Sequence, residues 1–257
     1  MDEASIRADM IEGLEHQIGE QLDADVLTAI QRISRETFVD AAPQAAVEGD
    51  GTGSRSLAAE TVVRLVTALD ADEGDDVLVV GAGVGYSVAL LAEIAGARHV
   101  HAVDIDREAV SLARSNLAKE GYDAVLVDRR DGANGLPEYA PYDRILLEAA
   151  VVEPPRTLRE QLDKDGRIVY PRGTTVQTVA AIEPDSTRDR SPDDDAPSGF
   201  RTVETAGPVR LRPMLVDGEQ AGVERNRTRR EDAERAERSR FARHGWEQEW
   251  IDWDDRL

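Results

Sequence analysis

The stretch "DDVLVVGAGVGYSVALLAEIAG", residues 75–96, constrains this chain more than any other part of it. Four apolar, mostly β-branched residues, Val77, Leu78, Val79 and Val80, run directly into Gly81, Gly83 and Gly85, and a helix-patterned segment follows. That order reads as strand, turn, helix, and a glycine turn at the end of a first strand lets the backbone approach a ligand closely. The dinucleotide form of such a loop is G-x-G-x-x-G/A, whose last small residue lets helix and strand pack tightly. Here Tyr86 stands at that last position, which disfavours NAD and FAD.

Downstream, the hydrophobic pattern alternates. The apolar runs "HVHAVDI" (99–105), "AVLVD" (124–128), "RILLEAA" (144–150), "RIVYP" (167–171) and "TVQTVAAIE" (175–183) are separated by helix-patterned or turn-rich stretches. Strands alternating with helices predict βαβ units and an α/β fold with a mainly parallel, doubly wound sheet. After the acidic insert "PDSTRDRSPDDDAPSG", the runs "FRTVET" and "VRLRPML" have no helix between them and predict a strand pair at an antiparallel edge.

Upstream, Ile6, Met10, Leu14, Ile18, Leu22, Val26, Leu27, Ile30 and Ile33 recur at steps of three and four, predicting two amphipathic N-terminal helices. A loop, "DAAPQAAVEGDGTGSRS" (40–56), leads to a helix in "AAETVVRLVTALDADEGDD" expected to end near Gly74. The expected organisation is an N-terminal helical segment with a substrate loop (1–56), a ligand-binding core (57–218) and a charged helical extension (219–257).

Composition narrows the function. With no cysteine, thiolate catalysis and Cys-ligated zinc are excluded, and four histidines without H-x-x-x-H spacing give no expected metal site. A formal charge of −21 repels phosphates, so neither nucleic acid nor an anionic membrane is an expected partner. Lys119 and Lys164 are the only lysines among 31 basic residues, a balance that suits a high-salt cytoplasm, where screening lengths of roughly 3 Å blunt self-repulsion. No apolar run approaches the roughly 18 residues of a membrane span, and "MDEASIRADM" has no signal-peptide character, so a cytoplasmic location is expected. In the tail, Trp246, Trp250 and Trp253 fall on one helical face, fit either to dock on the chain's own domain or to mediate self-association or partner binding.

The G-x-G-x-G spacing resembles motif I of class I S-adenosylmethionine-dependent methyltransferases, whose Rossmann-like fold wraps the cofactor with this loop. Asp104 in "HAVDID" lies about 20 residues beyond the loop, where an acid holds ribose hydroxyls. Asp131 in "RRDGANGLP" matches the position at which such enzymes meet the adenine amino group. With these in place, "MIEGLEHQIGEQLDADVLTAIQRISRETFVDAA", "GAGVGYSVALLAEIAG", "ARSNLAKEGYDAVLVDRRDGANGLPEYAPYDRILLEAA", "LREQLDKDGRIVYPRG" and "GPVRLRPML" resemble the protein-L-isoaspartate O-methyltransferase family over roughly residues 10–216.

The resemblance implies carboxyl methylation of isoaspartyl residues in damaged proteins or peptides, with S-adenosyl-L-methionine as cofactor. It implies cofactor contacts at Gly81, Ala82, Gly83, Gly85, Tyr86, Asp104, Ile105, Asp131 and Gly132. Three positions depart from the family pattern. Val79 stands where an acid usually precedes the glycines. The substrate loop lacks the family's proline and ring, and Ser56, or Leu57 in an ungapped count, occupies its serine position. Glu148 replaces a threonine after the fourth strand and is expected to face the acceptor, where it repels an anionic substrate unless it is protonated or paired with an arginine, Arg55 or Arg130. A different methyl acceptor, or a cofactor-binding paralogue acting through protein contacts, stays open beside the isoaspartyl reading.

Overall fold

The computed structural model describes residue 13, residues 15–16, 21–39, 56–185 and 195–215. The chain divides into two units, Met1–Asp217 and Gly218–Leu257, and every element below belongs to the first. Most of the helix expected before residue 20, the loop 40–55 with Arg55, the centre of the acidic insert and the tryptophan-bearing tail lie outside the described residues.

Among the described residues, three helices precede the sheet. α1 (Ala24–Arg32) turns Val26, Ala29 and Ile30 inward, and α2 (Arg35–Val39) buries Phe38. α3 (Ala59–Leu69) buries Val62, Val63, Leu65, Val66, Ala68 and Leu69, as a helix packed on a sheet must. It ends at Asp70, not at Gly74: Asp70 takes the left-handed conformation (φ +55°), which short polar side chains tolerate. Gly74 (φ +90°) serves a second turn that delivers the chain into the first strand.

The sheet has seven strands in the order β3-β2-β1-β4-β5-β6-β7. They are β1 (Val77–Val80), β2 (Val100–Asp104), β3 (Leu126–Arg129), β4 (Tyr142–Leu147), β5 (Leu162–Arg172), β6 (Gln177–Pro184) and β7 (Phe200–Val209). β1 to β5 are parallel, and β6 and β7 add an antiparallel edge. Central β1 is apolar throughout because both its faces are covered: Val77 and Val79 enter one core cluster, Leu78 and Val80 the other. α4 (Tyr86–Leu91), extended by a π-turn (Ala92–Gly96), α5 (Arg107–Lys119) and the short α6 (Arg156–Glu160) fill the crossovers. No helix among the described residues is long and apolar enough to cross a membrane.

The expected last strand pair is instead one strand and a return segment. After β7 the chain leaves the edge and comes back to the end of β4. There Ala150 N–H donates to Arg212 O (2.7 Å) and Met214 N–H to Ala150 O (3.0 Å). The buried amide of Gln177 holds the return by accepting from Leu211 N–H (2.6 Å) and donating to Leu211 O (3.0 Å). Pro213 has no N–H for a ladder, so "VRLRPML" alternates like a strand without being able to continue as one.

Candidate cofactor and acceptor site

The glycine loop, Asp104, Asp131 and Glu148 come together at the carboxyl ends of β1, β2, β3 and β4, the edge at which open parallel sheets bind ligands. The glycine loop is anchored to β2 before anything else: Gly81 and Ala82 N–H both donate to Val103 O (2.8 and 3.1 Å). Gly81, Gly83 and Gly85 all have positive φ (+101°, +53° and +91°), so the loop follows a path that side-chain-bearing residues rarely adopt.

Asp104 braces that path. One carboxylate oxygen accepts from Gly83 N–H (3.0 Å) and the other from Asp106 N–H (2.9 Å), so one side chain fixes both the loop and the entry to α5. Asp106 caps α5 by accepting from Glu108 N–H (2.8 Å), and half-buried Ile105 lies between the two acids. Arg130 N–H donates to Asp104 O (3.1 Å), which ties the segment after β3 to the same strand end. Asp131 then accepts from Ala133 N–H (2.9 Å) and starts a 3-10 turn, Gly132–Asn134. Gly132 has no room for a side chain, since a Cβ there would lie 2.4 Å from Val80 Cγ1 and 3.2 Å from the return segment's Met214.

Glu148 completes the group. Its N–H donates to Val80 O (2.8 Å), and a Cβ on Gly81 would come within 3.3 Å of its own Cβ. Its side chain packs against the glycine loop, bonds the Ser87 hydroxyl of α4, and leaves Oε1 buried without a hydrogen-bond partner. Burial, opposed by the Ser87 bond and reinforced by the Asp104 charge, pushes the carboxyl up to about 8 from its ordinary 4.5, so it is protonated at neutral pH. Of the two expected arginine partners, Arg130 pairs instead with Glu138 and with Asp128 (3.3 Å), and Arg55 lies outside the described residues. Among the described residues, desolvation and not ion pairing sets the charge state of Glu148.

A stability effect follows with a definite sign. Between about pH 4.5 and 8 the folded protein holds a proton on Glu148 that the unfolded chain has released, so this group's contribution to stability fades as pH rises. Thermal unfolding of Glu148→Gln against the parent is expected to show a difference that grows in the variant's favour from pH 5 to pH 8. A pH-independent difference would contradict the raised carboxyl.

Tyr86 takes a different place from its neighbours in the loop. Its ring is buried and tilted against Phe38, with centroids 5.7 Å apart, and burial raises its hydroxyl above the usual range despite Arg35 nearby. The residue too large for a dinucleotide loop therefore locks α2 to α4. Ser56 is half-buried at the entry to α3, where its hydroxyl faces Leu57 O (3.4 Å) and Leu57 O accepts from Arg35 (2.8 Å). Leu57 itself packs on the core, which leaves Ser56 as the polar member of the pair.

Asn116 and Ser87 were not expected. Fully buried in α5, Asn116 donates to Val84 O of the glycine loop (3.0 Å) and reaches Phe38 O (3.5 Å). Its signal is a polar residue on the stripe Ala109, Val110, Ala113, Leu117 that α5 turns to the core. Asn116→Ala is expected to lower unfolding stability by about 1–3 kcal/mol, because Val84 O loses its buried donor. Urea unfolding measures the effect, and an unchanged midpoint would mean that the loop carbonyl does not need it.

The matches to known proteins agree with this geometry. The family model for protein-L-isoaspartate(D-aspartate) O-methyltransferase matches residues 6–202. The chain is similar to the protein-L-isoaspartate O-methyltransferase of Methanococcoides burtonii, 39% identical over 170 residues, covering 64% of this chain and 84% of that one. The Methanosarcina mazei protein of the same name is 36% identical over 188 residues, covering 71% and 76%. A solved protein-L-isoaspartate O-methyltransferase shares the fold, with a TM-score of 0.62 at 22% identity over 86% of this chain and 69% of its own. The match spans α1 to the start of β7, glycine loop and acids included, and the chain belongs to the protein-L-isoaspartate(D-aspartate) O-methyltransferase family.

Proposed function

We propose that this chain transfers a methyl group from S-adenosyl-L-methionine to the α-carboxylate of isoaspartyl residues in damaged proteins. The observation that carries the reading is the glycine loop braced by Asp104, in a chain whose family membership spans that loop and both flanking halves. The residues present fit the cofactor. Gly81, Gly83 and Gly85 leave a side-chain-free cradle, Asp104 at the end of β2 is assigned to the ribose diol, and Glu148 Oε1 is an orphaned buried acceptor beside them. When bound, S-adenosylmethionine supplies a methyl group on a sulfonium, an intrinsically good leaving group.

The acceptor carboxylate is ionised at neutral pH, so the chain need not remove a proton from it. Its work is to hold donor and acceptor in line and to exclude water. Ser56 is assigned to orient the acceptor carboxylate, and Asp131 with Gly132 to meet the adenine.

The test is incubation with methyl-labelled cofactor and an isoaspartyl peptide in concentrated KCl. Base-labile label on that peptide, and none on its unmodified counterpart, is the expected result. Equal labelling of both peptides would overturn the repair assignment. The high-salt assay follows from the charge of −21, which we read, with the scarcity of lysine, as adaptation to a salty cytoplasm. The Trp246, Trp250 and Trp253 face is assigned to self-association or partner binding. Deleting residues 220–257 is expected to lower the oligomeric state or abolish partner capture, and no change in either would reduce the tail to a solubility device.

A further inference from the structure

From the placement of its buried carboxyl against the glycine loop, we propose that Glu148 binds the α-ammonium group of the cofactor's methionine end. The inference rests on the methyltransferase reading and moves Glu148 from the acceptor side of the site to the donor side.

Three observations carry it. First, Oε1 of Glu148 is buried and lacks a hydrogen-bond partner, the one carboxyl oxygen among the described residues of which this is true, whereas buried acceptors in proteins are normally satisfied. A partner that arrives with the ligand accounts for it. Second, the location belongs to the loop. β1 and β4 pair Val80 with Leu147, so Glu148 is the next residue out, beside Gly81, where an added Cβ would lie 3.3 Å from the Glu148 Cβ. Third, the surroundings call for a cation that donates hydrogen bonds. Asp104 from the end of β2 is the charged group that acts on Glu148, Ser87 of α4 supplies a hydroxyl, and β1 contributes only apolar side chains and backbone. Residue 79, two before the first glycine, is a fully buried valine, so β1 itself offers no carboxylate to an ammonium.

Of the cofactor's two positive centres, the sulfonium has no N–H, whereas the ammonium has three donors. Only the ammonium satisfies Oε1 as a hydrogen-bond acceptor. On binding, the Glu148 O–H gives its proton to buffer, and the resulting carboxylate pairs with the ammonium, which keeps all its protons. The site thus reads the methionine end through a group that is neutral when empty and charged when filled.

The experiment is calorimetric titration of the full chain in concentrated KCl, repeated in buffers of different ionisation enthalpy. S-adenosylhomocysteine carries the ammonium without the sulfonium, and 5′-methylthioadenosine carries neither. With the carboxyl near 8, S-adenosylhomocysteine at pH 7 is expected to release roughly 0.9 proton per site, and its affinity to rise nearly tenfold per pH unit from about pH 6 to 7.5. Binding of 5′-methylthioadenosine is expected to release none. In Glu148→Gln the release and the pH slope both vanish, and S-adenosylhomocysteine binds at least about tenfold more weakly. Proton release by both ligands, release persisting in the glutamine variant, or S-adenosylhomocysteine binding without release would each overturn the assignment. The ligand comparison on the parent chain needs no variant to fold. Failure of the parent to bind either ligand would instead overturn the methyltransferase reading.

Discussion

Replacing Asp104 by alanine is expected to weaken S-adenosylmethionine binding by about 100- to 1,000-fold while the sheet stays folded. The carboxylate accepts from Gly83 N–H (3.0 Å) and Asp106 N–H (2.9 Å), and hydrogen bonds to a charged group contribute about 1.5–3 kcal/mol each. The first bond holds the glycine loop in its ligand-ready path and the second fixes the segment that carries Asp104 into α5, and a carboxylate has acceptor directions on each oxygen beyond the one each donor uses. Loss of the loop brace and of a ribose contact together is a loss of about 3–4 kcal/mol, the stated range of affinity. The fold tolerates the change because the core of β2 is made by Val100, Ala102 and Val103, whereas Asp104 is half-buried at its end. Asp104→Asn is expected to fall between parent and alanine, since its amide keeps one acceptor and turns an N–H₂ toward the other backbone donor. Calorimetric titration with a parallel thermal melt separates binding from folding. An unchanged affinity in Asp104→Ala would mean that the bonds to Val103 O hold the loop alone and that the ribose lies elsewhere.

The part of the site that was legible in the sequence is the part built from local chain order. Val77 to Val80 form a strand buried on both faces, so an unbroken apolar run was its signature, and the turn that follows is forced by three glycines at positive φ. Asp104 was legible because a strand end places it there whatever the rest of the chain does. Glu148 was half legible. Its position after β4 followed from the pattern, but its protonation depends on Gly81, Ser87 and Asp104, 44 or more positions earlier, which bury it without offering a cation. The sequence left its charge open between protonation and an arginine partner, and burial beside the loop favours protonation. The return segment misled for a related reason: its alternation is that of a strand, yet its partners are Gln177 and Ala150, which no local pattern names. Tyr86 shows the converse. It correctly argued against a dinucleotide, but its ring serves Phe38 and the core.

Gly85→Val is expected to lower the melting temperature by about 10 °C or more and to abolish cofactor binding at millimolar concentration. Two separate costs combine at this position. At φ +91° a β-branched residue is strained by about 1–3 kcal/mol. A Cβ there also meets Ala113 of α5 at its Cα (3.2 Å), Cβ (3.3 Å) and O (3.4 Å), and two of those atoms are backbone that cannot rotate away. Separating α4 from α5 by even a few tenths of an ångström adds an overpacking cost of about 1–3 kcal/mol. It also disturbs the bonds that Gly85 N–H makes to Ala82 O (2.8 Å) and Ala89 N–H to Gly85 O (2.9 Å), which define the loop's exit. For a chain of this size each kcal/mol corresponds to about 2–4 °C. Gly74→Ala isolates the first cost, because φ there is +90° and a Cβ would meet nothing within 4 Å. At about 1–2 kcal/mol for an alanine in that region, it is expected to lose about 2–8 °C and to leave binding intact. Gly85→Ala, with the same strain and the contact on Ala113, should fall between. If the two alanine variants lost stability equally, α5 would be yielding to the new methyl group, and the close approach of loop and helix would not be what requires glycine at position 85.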